Sequence, residues 1–91
     1  MPPGKAITVD VEGLRIALFN IGGTYYAIDD TCPHAGASLA EGDVSGITVE
    51  CPLHSARFDL ATGRVLSPPA DNDVAAYKVL VAGDEIQIQI E

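Results

Sequence analysis

Three features of this sequence predict a small all-β domain, an antiparallel sandwich or barrel of short strands. β-Branched residues dominate: Val and Ile number 16 against seven Leu, with five Thr besides, and such side chains fit a pleated, half-buried surface. Runs of apolar–polar alternation recur at close spacing, with Gly-, Asn- and Ser-containing turns between them. The one helical candidate is a single turn over Ala37–Glu41, ended by Gly42.

In chain order, Ile7–Val11 alternates, with Ile7, Val9 and Val11 on one face. Leu14–Phe19 and Thr24–Ile28 flank Asn20-Ile21-Gly22-Gly23, a hairpin connection. Ile47–Glu50 follows the turn Ser45-Gly46, and Ser55–Leu60 is closed by Ala61-Thr62-Gly63. Tyr77–Val81 and Glu85–Ile90 flank Ala82-Gly83-Asp84. The last run alternates strictly, so one face is buried and the other wet. Phe19, Tyr25 and Tyr26 read as core or half-buried strand residues.

At 91 residues the chain forms one domain with a thin core, burying roughly 60–65% of its unfolded surface. Domains of this size often rely on a metal or a disulfide as a staple. The net charge of −8, from 13 acids against five bases, excludes nucleic acid, which needs clustered Lys and Arg, and an anionic membrane surface. It fits a soluble protein steered to a basic patch on a partner. No apolar run approaches the ~18–20 residues of a membrane span, and MPPGKAITVD lacks the apolar stretch of a signal peptide. A cytoplasmic location is expected, where a lone disulfide is disfavoured.

The two cysteines therefore need another role. Both histidines and both cysteines fall in two loops, Cys32-Pro33-His34 and Cys51-Pro52-Leu53-His54, a C-x-H and a C-x2-H separated by 16 residues. A soft thiolate beside an imidazole, twice, is a metal-ligand arrangement. Pro33 and Pro52 stiffen the loops, and Gly36 permits a tight bend. Tetrahedral zinc accepts two Cys and two His, but zinc fingers usually pair like with like. A mononuclear iron site and a Cys–His nucleophile pair are further alternatives, and the latter leaves the duplicated pattern unexplained. A 2Fe–2S centre with two Cys on one iron and two His on the other needs a mixed pair from each loop, because each loop must reach both irons.

The stretch CPHAGASLAEGDVSGITVECPLHSARFDLATGRVLSPPA resembles a Rieske iron–sulfur domain. More narrowly, the chain is similar to the Rieske-type ferredoxins of bacterial ring-hydroxylating oxygenases, from about Gly13 to Gln89, including Tyr26-Ala27-Ile28-Asp29 and Gly83-Asp84-Glu85-Ile86. The resemblance implies a small antiparallel β-sandwich with a cluster-binding subdomain at its tip. Residues 1–91 would be one Rieske domain, with cluster-binding loops at about 30–38 and 50–56 and a covering proline loop at 67–70. Many members carry a longer N-terminal stretch with an additional strand before the position of Pro3, which leaves the strand count open.

The resemblance also implies ligands. Cys32 and Cys51 bind the inner iron as thiolates; His34 and His54 bind the outer iron through Nδ1, with Nε2 facing solvent. Replacing two thiolates by neutral imidazoles makes reduction easier than in an all-cysteine cluster. High-potential Rieske proteins place a disulfide at the positions of Ala37 and Leu53 and hydroxyls at those of Ala56 and Phe58. This chain has none of these, which points to the low end of the Rieske range, about −150 mV. Arg57 is a candidate partner guide or local ion-pair partner, and Glu41, Asp43 and Glu50 flank the loops as docking candidates.

No phosphate loop or dinucleotide fingerprint is present, so the expected function is electron transfer, not catalysis. The carrier would be a monomer taking one electron from a flavin-dependent reductase to a terminal oxygenase. The alternative is a Rieske-like small subunit of an assimilatory nitrite reductase.

Overall fold

The computed structural model describes residues 2–33, 36–53, 56–67 and 72–90. Nine strands are present among these: β1 (Ala6–Val11), β2 (Leu14–Ile21), β3 (Thr24–Asp29), β4 (Asp43–Ser45), β5 (Thr48–Glu50), β6 (Arg57–Asp59), β7 (Val65–Ser67), β8 (Ala76–Ala82) and β9 (Glu85–Gln89). A 3-10 turn at Leu39–Glu41 stands where the helical turn was expected. The strands form two antiparallel sheets, β1-β2-β3-β8-β9 and β4-β5-β6-β7. The expected all-β architecture is the one observed.

The hydrophobic pattern explains why β2 sits at the centre. Ile16, Leu18, Ala17 and Phe19 are all buried, and successive side chains point to opposite faces. Ala17 and Phe19 join a cluster with Ile28, Leu39, Val49, Phe58 and Leu60, which links the large sheet to the small one. Ile16 and Leu18 join Ala27 on the other face, covered by Val9, Val11, Val79, Ile86, Ile88 and Ile90. Val9 and Val11 thus share a packed face as expected, whereas Ile7, at the outer part of β1, remains 45% exposed.

The β2–β3 hairpin runs two residue pairs further than the sequence pattern suggests, Asn20–Tyr25 and Ile21–Thr24. Ile21 pairs with Thr24, leaving the two-residue turn Gly22-Gly23 with φ of 61° and 96°. Positive φ at both central positions matches the twist of the flanking strands. Asn20 Oδ1 accepts the Gly23 N–H at 2.8 Å.

Two strands were not anticipated, β4 and β7. Each is three residues long, as are β5 and β6, and each lies across a turn from one of those two. In sequence those turns, Ser45-Gly46 and Ala61-Thr62-Gly63, mark only a strand end. The expected strand Ser55–Leu60 is observed as Arg57–Asp59, with Ser55 outside the described residues.

Candidate metal centre

The first loop leaves β3 at Asp29. The next residue, Asp30, is a carboxylate only 1% exposed. Its Oδ1 accepts hydrogen bonds from Ser38 Oγ at 2.8 Å and from the Ala40 N–H at 3.0 Å. Its backbone C=O accepts the Leu39 N–H at 2.6 Å, and its N–H donates to the Arg15 carbonyl at 3.0 Å. Arg15 Nη2 approaches Oδ2 at 3.6 Å. One side chain thereby ties the entry of the loop to its exit. Inside this clasp a lone bridge joins Thr31 to Ser38. The Cys32 N–H donates to the Ala37 carbonyl at 2.9 Å, and the Gly36 N–H to the Cys32 carbonyl at 2.8 Å. Gly36 has φ 73°, the bend expected of it.

The second loop is the connection between β5 and β6. Glu50 pairs with Arg57 at its base, and the Cys51 N–H donates to the Ala56 carbonyl at 2.7 Å. Both loops therefore close in the same way, from the Cys N–H to the carbonyl five residues on. Arg57 Nη2 also approaches Glu50 Oε1 at 3.4 Å. Of its two expected roles, the structure displays the local ion pair.

Cys32 and Cys51 are each 1% exposed, not joined in a disulfide, and members of one apolar cluster with Leu39, Val49, Ala56 and Phe58. Pro33 and Pro52 are exposed, and Leu53 is 63% exposed. Each loop thus sends its thiol inward while its next residues face solvent. The expected partners His34 and His54 lie outside the described residues. Two unbridged, buried thiols brought into one core by matching loops suit a shared iron–sulfur ligand set, with soft donors on the protected side.

The loops are joined at Gly42, which follows the 3-10 turn. A Cβ at Gly42 would run into the Glu50 carbonyl oxygen and crowd Val49 Cγ2 at 3.0 Å. The exit of the first loop therefore rests on the backbone just before Cys51.

A third segment begins at Ser67, whose Oγ accepts the Arg57 N–H at 3.2 Å. Of the expected proline loop, Pro68, Pro69 and Ala70 lie outside the described residues. The returning chain is held at several points. Asp73 Oδ1 accepts the Val65 N–H at 2.8 Å, and the Val74 N–H donates to the Gly63 carbonyl at 2.8 Å. Asp29 Oδ2 accepts the Ala75 N–H at 2.9 Å and Oδ1 the Tyr77 hydroxyl at 2.6 Å. Burial, the hydrogen bond to Asp29 and that residue's charge together push the Tyr77 pKa up to about 12. The supporting roles of Asp29, Asp30 and Tyr77 were not read from the sequence. The signal available was an acid pair placed between a strand and a ligand loop.

The model of the Rieske [2Fe-2S] domain matches residues 1–78. The chain belongs to this family. Its cofactor is a Rieske-type 2Fe–2S cluster, which the buried thiols fit. The chain is 46% identical to the 3-phenylpropionate/cinnamic acid dioxygenase ferredoxin subunit of Escherichia coli K12, over 99% of this chain and 85% of that protein. Among solved structures, the ferredoxin of carbazole 1,9a-dioxygenase from Nocardioides aromaticivorans IC177 is similar at a TM-score of 0.94 and 36% identity, covering 100% of this chain and 89% of that one. A ferredoxin captured with its reduced oxygenase in carbazole 1,9a-dioxygenase superposes at 0.90 with 34% identity, covering 98% and 92%. A Mycobacterium tuberculosis structure assigned as an NADH-dependent nitrite reductase small subunit is more distant, at 0.84 and 27% over 100% and 88%.

Proposed function

We propose that this Rieske protein is the one-electron carrier of a ring-hydroxylating dioxygenase system, and that Cys32, His34, Cys51 and His54 hold its cluster. In this reading residues 1–91 form one domain, with ligand loops at about 30–38 and 50–56 and a covering loop at 67–70. The observation that carries the reading is the pair of buried, unbridged thiols in loops closed by the same hydrogen bond. The family relationship and the ferredoxin relatives give that pair its chemical meaning.

The cluster, when bound, supplies a centre that is neutral when oxidised and carries one negative charge when reduced. The protein's own residues do the rest. The two loops fix the thiol positions so that little reorganisation accompanies electron transfer. The apolar cluster around Cys32 and Cys51 keeps water from the sulfurs. Ala56 and Phe58, both buried, offer no hydroxyl to stabilise the reduced state, which keeps the potential low. The exposed Pro33, Pro52 and Leu53 leave the tip of each loop accessible to a partner.

The carrier takes its electron from a flavin-dependent reductase and delivers it to a terminal oxygenase, in the cytoplasm. Among the described residues no helix is long and apolar enough to cross a membrane. The oxygenase partnership is supported by the related ferredoxin–oxygenase complex; the reductase follows from the need for an electron source.

Purified protein is expected to hold about two irons and two acid-labile sulfides, to take up one electron, and to be required for NADH-driven turnover by a reductase–oxygenase pair. Stoichiometric zinc in colourless protein would overturn the ligand assignment. Copurification with a sirohaem-containing chain, with no oxygenase turnover, would favour the nitrite reductase reading.

A further inference from the structure

We propose that Asp30 is a positioning residue for the redox centre: its buried carboxylate shapes the loop that carries Cys32, and its charge lowers the reduction potential. This rests on the ligand assignment above.

Burying a carboxylate is unfavourable unless it is well hydrogen-bonded and paired. Asp30 is 1% exposed, and Oδ1 is fully used by Ser38 Oγ and the Ala40 N–H. The cation beside it is weak compensation. Arg15 lies at 3.6 Å with its side chain 62% exposed, so solvent screens the pair. Among the described residues no other ion pair reaches Asp30.

An asparagine in the same place would accept the same two hydrogen bonds without a charge. The clasp alone therefore does not require a carboxylate. What the charge adds is a fixed negative potential, in a poorly solvated place, two residues from Cys32. Reduction makes the centre more negative, so a nearby buried anion opposes it. The charge and the clasp thus act together on the centre: one on its electrostatics, the other on its geometry. Among the described residues loop 2 has no buried carboxylate of this kind, and a β-ladder holds its base.

The test uses holoprotein and three variants: Asp30→Asn, Asp30→Ala and, as a control, Asp84→Asn in the exposed β8–β9 turn. Protein-film voltammetry at one pH and salt gives the potential; bleaching with a chelator gives the rate of iron release. Asp30→Asn is expected to raise the potential more than Asp84→Asn does, at near wild-type iron content. Asp30→Ala is expected to release iron about tenfold faster than wild type, as losing one to two net hydrogen bonds implies. A wild-type potential in Asp30→Asn, or wild-type iron release in Asp30→Ala, overturns the proposal. If wild-type protein itself holds no 2Fe–2S cluster, the ligand assignment fails first, and the two failures are thereby distinguished.

Discussion

The two cysteine loops close with the same hydrogen bond but are held by different means. Loop 2 is a hairpin connection: Glu50–Arg57, Val49–Phe58 and Thr48–Asp59 pair beneath it. Loop 1 has one isolated bridge, Thr31–Ser38, and then departs into a 3-10 turn. Its closing limb is fastened by the Asp30 side chain instead. A ladder spreads its stabilisation over several backbone bonds, whereas a clasp concentrates it in one residue. The ladder should therefore survive the loss of the cluster better than the clasp does.

The largest effect comes from removing the cluster, by chelation or by Cys32→Ser or Cys51→Ser. Metal binding is coupled to folding in small domains, so several kcal/mol of stability should be lost. Amide hydrogen exchange then separates the loops. In the cluster-free protein the Cys51 N–H should stay protected by its ladder, while the Cys32 N–H exchanges roughly tenfold faster or more, ~1.4 kcal/mol of local stability. Equal loss of protection at both positions would erase the distinction drawn here.

How much of this was legible in the sequence follows the same division. The ladder side was visible through the turns beside it, Ser45-Gly46 and Ala61-Thr62-Gly63, although β5 and β6 are only three residues each. β4 and β7, equally short, were missed because those turns mark the end of a strand without showing that another strand pairs across them. The ligand pattern was visible because it depends on residue type and spacing within two short segments. The clasps were not. Asp30 reaches Ala40 and Asp29 reaches Tyr77, contacts that exist only once the sheet is assembled. Ile7 marks a similar limit: its place in the alternation is right, but whether a neighbour covers it depends on how far the opposing strands extend.

Gly42→Ala should disturb both loops at once. The added methyl meets the Glu50 backbone oxygen, which cannot yield as a flexible side chain would. Overpacking of this kind costs roughly 1–3 kcal/mol. Denaturant unfolding of holoprotein measures it, and faster exchange at both Cys32 and Cys51 is expected. A variant of unchanged stability would mean that the two loops are not braced against each other at this point.

A smaller contrast separates two serines. Ser38→Ala removes a donor to a buried carboxylate and should cost ~1–2 kcal/mol, towards the upper end because the acceptor is charged. Ser67→Ala removes an acceptor for the exposed Arg57 N–H and should cost under about 0.5 kcal/mol, as water replaces it. Urea denaturation of the two variants gives both values. A larger cost at Ser67 than at Ser38 would reverse the assignment of clasp and ladder.

The smallest effect is expected at high pH, at the other side-chain fastening. Asp29 holds the returning chain through the Ala75 N–H and the Tyr77 hydroxyl, and the Tyr77 pKa is pushed up from an ordinary 10.0 to about 12. Between those values the unfolded chain has lost the phenol proton and the folded one retains it. Stability from this contact is therefore complete below pH 10 and is lost as pH rises through about 12. The loss should fall on the fastened return segment and leave the β5–β6 ladder in place. Ionisation of Tyr77 should be visible as a late phenolate band in the near ultraviolet, near pH 12, that is absent from Tyr77→Phe. That variant should also lose the wild type's decline in stability across this range, because phenylalanine has no proton to release. If the phenolate band lost in Tyr77→Phe appears near pH 10 and not near 12, the Asp29–Tyr77 contact does not hold the segment, and the ladder and hydrophobic packing alone must do so.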